Sequence, residues 1–66
     1  MSGPRYKVGV RRDPGDARYW LANLVGEPGA HSSGRSLVEA KRHAIEIVAL
    51  WFDVEPETFD IDWRAS

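Results

Sequence analysis

The chain has 66 residues, with 9 Lys or Arg against 10 Asp or Glu, a net charge of −1 and no cysteine. These figures exclude a second domain, a disulfide framework and a thiolate zinc site, and they argue against polyanion binding over the whole surface. One core of this size supplies about 3–5 kcal/mol at most; the only histidines, His31 and His43, lie in different elements, so self-association is the expected supplement rather than a metal.

The opening residues 1–4 read as a disordered polar tail. From Tyr6, the apolar Tyr6, Val8 and Val10 alternate with Lys7, Gly9 and Arg11, the period of a half-buried strand. Asp13-Pro14-Gly15-Asp16 is a turn, because Pro fixes φ and Gly accepts positive φ. Tyr19 to Val25 form a second strand. Trp20, Ala22 and Leu24 oppose Tyr19, Leu21 and Asn23, so both faces are fairly apolar. That predicts a strand in the middle of the sheet with cover on each side. Glu27-Pro28-Gly29 breaks it, and Ala30 to Ser33 form a short third strand, weakly specified and suited to an edge.

Ser36 and Glu39 have capping-box spacing. The Ser hydroxyl would accept from the N–H of residue 39, and the Glu would reach back to the N–H of residue 36. The predicted helix runs from Leu37 to about Phe52. Leu37, Ala44, Val48 and Trp51 share one face, with Ala40 and Ile47 beside them. Val38, Ile45, Ala49 and Phe52 form a second stripe, while Glu39, Arg42, His43 and Glu46 mark the wet side. A second apolar stripe on so small a chain predicts a subunit interface. After the Asp53–Glu57 turn, Phe59, Ile61 and Trp63 alternate with Thr58, Asp60, Asp62 and Arg64. This is a fourth strand with one buried face, free to pair within the molecule or across a dimer axis. The expected fold is α+β, β-β-β-α-β: an antiparallel sheet of three to four strands with one helix on one face, in a single domain spanning residues 1–66.

Strand, strand with aromatics, Pro-Gly turn, small polar segment ending in Gly, and a capped Ser-Leu-x-Glu-Ala helix follow one another in a set order. The pieces are Tyr6-Lys7-Val8-Gly9-Val10, Tyr19-Trp20-Leu21-Ala22-Asn23-Leu24, Glu27-Pro28-Gly29-Ala30-His31, Ser32-Ser33-Gly34 and Ser36-Leu37-Val38-Glu39-Ala40. In this the chain resembles HicB-type antitoxins, which have a degraded ribonuclease-H-like fold, over about residues 6 to 52. The family's Pro-Leu-Pro-Gly turn is reduced here to Glu27-Pro28-Gly29, and Lys41 stands where an apolar residue is usual. No helix-turn-helix or ribbon-helix-helix segment follows before Ser66, so a separate DNA-binding domain is not expected. The resemblance implies a non-enzymatic domain that dimerises and neutralises a small, basic, RNA-cleaving toxin by covering its active surface.

Three sets of candidate site residues follow. Val38, Ile45, Phe52, Phe59, Ile61 and Trp63 are the expected dimer contacts. Glu55, Glu57, Asp60 and Asp62 in the acidic tail suit a basic partner. Arg5, Arg11, Arg12 and Arg18, near Tyr6, Tyr19 and Trp20, are the nucleic-acid alternative. Catalysis has no comparable signal. Asp60 and Asp62 could join Asp16 or Glu39 around two metal ions, but alternating Asp on a terminal strand is ordinary solubility patterning. There is no nucleophile triad, and Gly26, Gly29 and Gly34 do not make a phosphate loop. No catalytic residue, metal or cofactor is therefore assigned. No apolar run approaches the roughly 20 residues that span a bilayer; a soluble, cytoplasmic protein without a membrane partner is expected.

Overall fold

The first reversal follows from its residues: the Asp13 carboxylate accepts from the Gly15 N–H at 2.8 Å and locks the turn. It joins β1 (Arg5–Asp13) to β2 (Asp16–Leu24). A second turn places Gly26 at φ 88°, a left-handed conformation that suits glycine, and leads into β3 (His31–Gly34). Then come α1 (Leu37–Phe52), a 3-10 turn at Pro56–Thr58 and β4 (Asp60–Ala65). This computed structural model describes residues 3–65.

Among those residues the four strands form one sheet in the order β3-β2-β1-β4, an α+β fold with α1 packed on one face. β2 is interior and β3 is an edge, as their sequences imply. The sheet is mixed, because β4 runs parallel to β1, with Arg5 opposite Asp60 and Val8 opposite Trp63. The other two pairings are antiparallel. Two reversals leave β3 running in the direction of β1. α1 then carries the chain back, so β4 starts at the end where β1 starts.

The Ser36 hydroxyl caps α1 by accepting from the Glu39 N–H at 3.1 Å. Glu39 reaches one residue further back than a capping box requires, accepting from the Arg35 N–H at 3.0 Å. The helix stops at Asp53 in a left-handed conformation, φ 56°, with the N–H groups of Asp53 and Val54 returning to the carbonyls of Leu50 and Ala49. Gly34 lies directly under the first turn. A Cβ there would sit 2.6 Å from the Ala40 nitrogen and 2.9 Å from the Glu39 carbonyl carbon.

That contact decides where the helix lies. Ala40, Ala44 and Val48 are its buried positions, small enough for close approach to a core of Val8, Ala22, Leu24, Ala30 and Phe59. A helix about 10 Å across covers about two strands spaced about 4.8 Å apart. α1 lies over β3 and β2, touches β1 little and β4 least. The opposite sheet face has no second layer among the described residues. Leu21 is half-buried there and Asn23 exposed, so β2 lacks the cover that its apolar run suggested. At the N-terminus, the Pro4 carbonyl accepts from the Asp60 N–H at 2.9 Å, and Gly3 packs against Thr58. That part of the expected tail is docked, while Met1 and Ser2 lie outside the described residues.

Two substitutions check this account in opposite directions. Gly34→Ala drives a Cβ into helix backbone and should cost about 1–3 kcal/mol, lowering the melting temperature by several degrees. Asp53→Gly relieves a left-handed non-glycine residue and should stabilise by about 1 kcal/mol. Chemical denaturation of the three chains measures both.

Candidate protein-interaction surface

Because α1 is displaced toward β3, its other flank overhangs β4 without closing on it. Val38, Ile45 and Phe52 recur every seven residues and lie along that flank. The flank and β4 enclose an open groove of about 440 Å³, lined by Arg5, Ile45, Pro56, Phe59, Asp60, Ile61 and Trp63. Four of the six expected dimer residues therefore meet in one place. They are not equally free. Phe59 is only 7% exposed and meets Tyr6 edge-on at 5.5 Å, so it serves the core of its own chain. Ile45, Ile61 and Trp63 are half-buried against that core, and the Lys41 ammonium lies 5.2 Å from the centre of the Trp63 ring. Phe52 stacks on Tyr6 at 4.4 Å. Val38 remains 68% exposed.

Further large apolar side chains are exposed around the end where α1 stops. Val25, Leu50, Trp51 and Val54 are exposed there, beside Phe52. Trp51 comes from the helix and packs near Gly29, so the β2–β3 loop and the helix end share this surface. Glu27, Asp53, Glu55 and Glu57 surround it in sequence, and all are exposed. Periodicity placed Trp51 on the core face, but the sheet ends before reaching it. Leu50 was missed, although it falls on the arc of Glu39, Arg42, His43 and Glu46, and a leucine on a wet arc was the available signal.

The acids of the tail and the cations of the first hairpin are not kept apart. Parallel pairing sets Arg5 beside Asp60 and Lys7 beside Asp62, so the first and last strands interleave opposite charges on the open face. Asp62 bonds Arg64 at 2.7 Å. That bond, helped by the Arg64, Arg5 and Lys7 charges, holds its carboxyl below the usual range and raises the Arg64 guanidinium. Asp60 and Asp62 belong to β4, whereas Glu55 and Glu57 flank Pro56 in the connection ahead of it, and Pro56 lines the same groove as Asp60.

The hairpin cations are largely engaged as well. Arg18 binds Asp16 at 2.9 Å, an interaction that lowers the Asp16 carboxyl and raises the guanidinium. Arg12 donates to the Ala17 carbonyl at 2.8 Å and lies 4.7 Å from the centre of the Trp20 ring. Arg18 and Arg35 are each 6.0 Å from the Tyr19 ring centre. The aromatic faces that would stack bases thus carry the chain's own guanidiniums. Arg11 points elsewhere and lines an open-face groove of about 490 Å³ with Leu21, Asn23, Pro28 and His31.

The groups considered for catalysis are dispersed. Asp16 is at the hairpin turn, Glu39 at the helix start and Asp62 on β4. Among the described residues no three His, Cys, Asp or Glu gather as a metal site. His43 donates from Nδ1 to the Ser33 carbonyl at 2.7 Å, tying α1 to β3. No helix among the described residues is long and apolar enough to cross a membrane. No protein family, curated protein or solved structure matches this chain.

Asp16 and Asp62 both titrate below the unfolded value of about 3.9. The stability they contribute is present above that value and is lost as pH falls through their folded values. The Asp16→Asn/Asp62→Asn chain should therefore lose less melting temperature than the native chain between neutral pH and about pH 2. Both pairs are exposed and screened, so added salt should shrink the difference.

Proposed function

We propose that this chain is a non-enzymatic protein-binding module of the HicB antitoxin kind. It acts in the cytoplasm as a homo-oligomer and neutralises a small basic RNA-cleaving toxin by covering that protein's active surface. The observation that carries this reading is the exposure of Val25, Leu50, Trp51 and Val54 around the end of α1, with the exposed acids Glu27, Asp53, Glu55 and Glu57 near them in sequence. Exposed apolar side chains with acidic neighbours fit a basic partner that offers a greasy contact. The β-β-β-α-β order agrees with the resemblance in the residues.

A second reading, a small nucleic-acid-binding regulator, is favoured by one observation: Arg11 beside Leu21 and His31 on the open sheet face. It requires binding to labelled RNA or DNA that weakens with salt and disappears in Arg11→Ala.

The test of the main reading is co-expression with the products of the reading frames adjacent to this chain's own, among which a small basic protein is expected. Neutralisation and co-purification are expected. Leu50→Asp, at a residue 79% exposed, should weaken binding at least about 30-fold, a hot-spot effect, with the native circular dichroism kept. A neighbour that is neither bound nor neutralised, or full neutralisation by both Leu50→Asp and Val54→Asp, contradicts the proposal.

A further inference from the structure

The outer edge of β4 carries a second piece of information in its backbone. The Asp60 N–H donates to the Pro4 carbonyl, on the β1 side. Backbone groups alternate sides along a strand. Asp60, Asp62 and Arg64 therefore turn their N–H and C=O groups toward β1, while Ile61, Trp63 and Ala65 turn theirs outward. β1 occupies one side of β4 and no strand occupies the other among the described residues. Such an edge is a template for another strand.

We infer that this edge pairs antiparallel with β4 of a second copy, about a two-fold axis through Trp63. The register follows from charge. Outward residues must face outward residues, which leaves few ways to lay the strand against itself. An axis through Asp62 sets Asp62 against its own copy, and an axis through Arg64 does the same for Arg64. An axis through Ile61 places Asp60 against the partner's Asp62. Each brings like charges directly opposite. The axis through Trp63 instead sets Asp62 against the partner's Arg64, and Arg64 against the partner's Asp62. Trp63 then exchanges both backbone hydrogen bonds with the partner's Trp63, and Ile61 does so with the partner's Ala65.

The side chains agree with the backbone. Within one protomer Asp62 and Arg64 already share the open face and bond at 2.7 Å, so the pairing extends an existing ion pair into a network of four charges. On the other face Ile61 and Trp63 meet their copies beneath the two helices. The groove lined by Ile45, Pro56, Phe59, Ile61 and Trp63 is closed by the partner's equivalent residues. A two-fold axis normal to the sheet keeps both helices on one side, and the product is a continuous eight-stranded sheet.

This inference deepens the homo-oligomer reading and rests on it. Its test is the solution mass of three chains across a concentration series, with melting curves to monitor folding. The native chain should be a dimer. Arg64→Asp, which puts Asp opposite the partner's Asp62, should weaken dimerisation at least about tenfold. Asp62→Arg/Arg64→Asp restores opposite charges and should recover most of the loss. Should Arg64→Asp melt early, the uncharged Arg64→Gln gives a smaller weakening in the same direction. A native chain that is monomeric at high micromolar concentration overturns both this pairing and the homo-oligomer reading. A native dimer whose mass is indifferent to Arg64→Asp, or is not recovered in the double reversal, overturns the pairing alone.

Discussion

One helix cannot cover four strands, and the contact between Gly34 and the first turn of α1 decides which strands it covers. With the Ala40 nitrogen where a Cβ would be, the helix starts hard against β3. Ala40, Ala44 and Val48 keep it close along β2. His43 adds a hydrogen bond to Ser33 on the same side. The core fills around Val8, Ala22 and Leu24, and the apolar face of β4 is left with only the rim of the helix above it. The groove, the half-buried Ile61 and Trp63 and the overhanging Ile45 all follow from this displacement.

The direction of β4 has a second consequence. Had it run antiparallel to β1, Asp60 and Asp62 would face other partners. Running parallel, they fall beside Arg5 and Lys7, and Asp62 also bonds Arg64. Asp53, Glu55 and Glu57 follow the end of α1, where Leu50, Trp51 and Val54 are exposed. The partner contact proposed at Leu50 and the self-pairing proposed along β4 rest on different residues, although Pro56, between Glu55 and Glu57, lines the groove above β4.

Local signals were the legible ones. The Ser36 cap and the 3.6-residue period fix α1 at Leu37–Phe52, and the Asp13–Asp16 turn is where its residues place it. The last strand starts at Asp60 because Pro56 nucleates a 3-10 turn that takes in Thr58. Strand direction was not legible, since it depends on where the returning helix delivers the chain. Nor was the division of the Val38, Ile45 and Phe52 stripe, because its fate depends on helix placement. Ile45 meets the core, Phe52 finds Tyr6, and Val38 reaches nothing. The sequence puts arginines in the first hairpin and acids in the tail; only register showed that β1 and β4 bring the two signs together.

Amide hydrogen exchange along β4 tests the central claim most directly, because the strand contains its own control. The Asp62 and Arg64 amides face β1 and should be protected at any protein concentration. If a second copy completes the surface that α1 leaves uncovered, exchange at Ile61, Trp63 and Ala65 should slow as concentration rises through the dimerisation range. Fast, concentration-independent exchange at those three residues, with Asp62 and Arg64 still protected, would contradict the account.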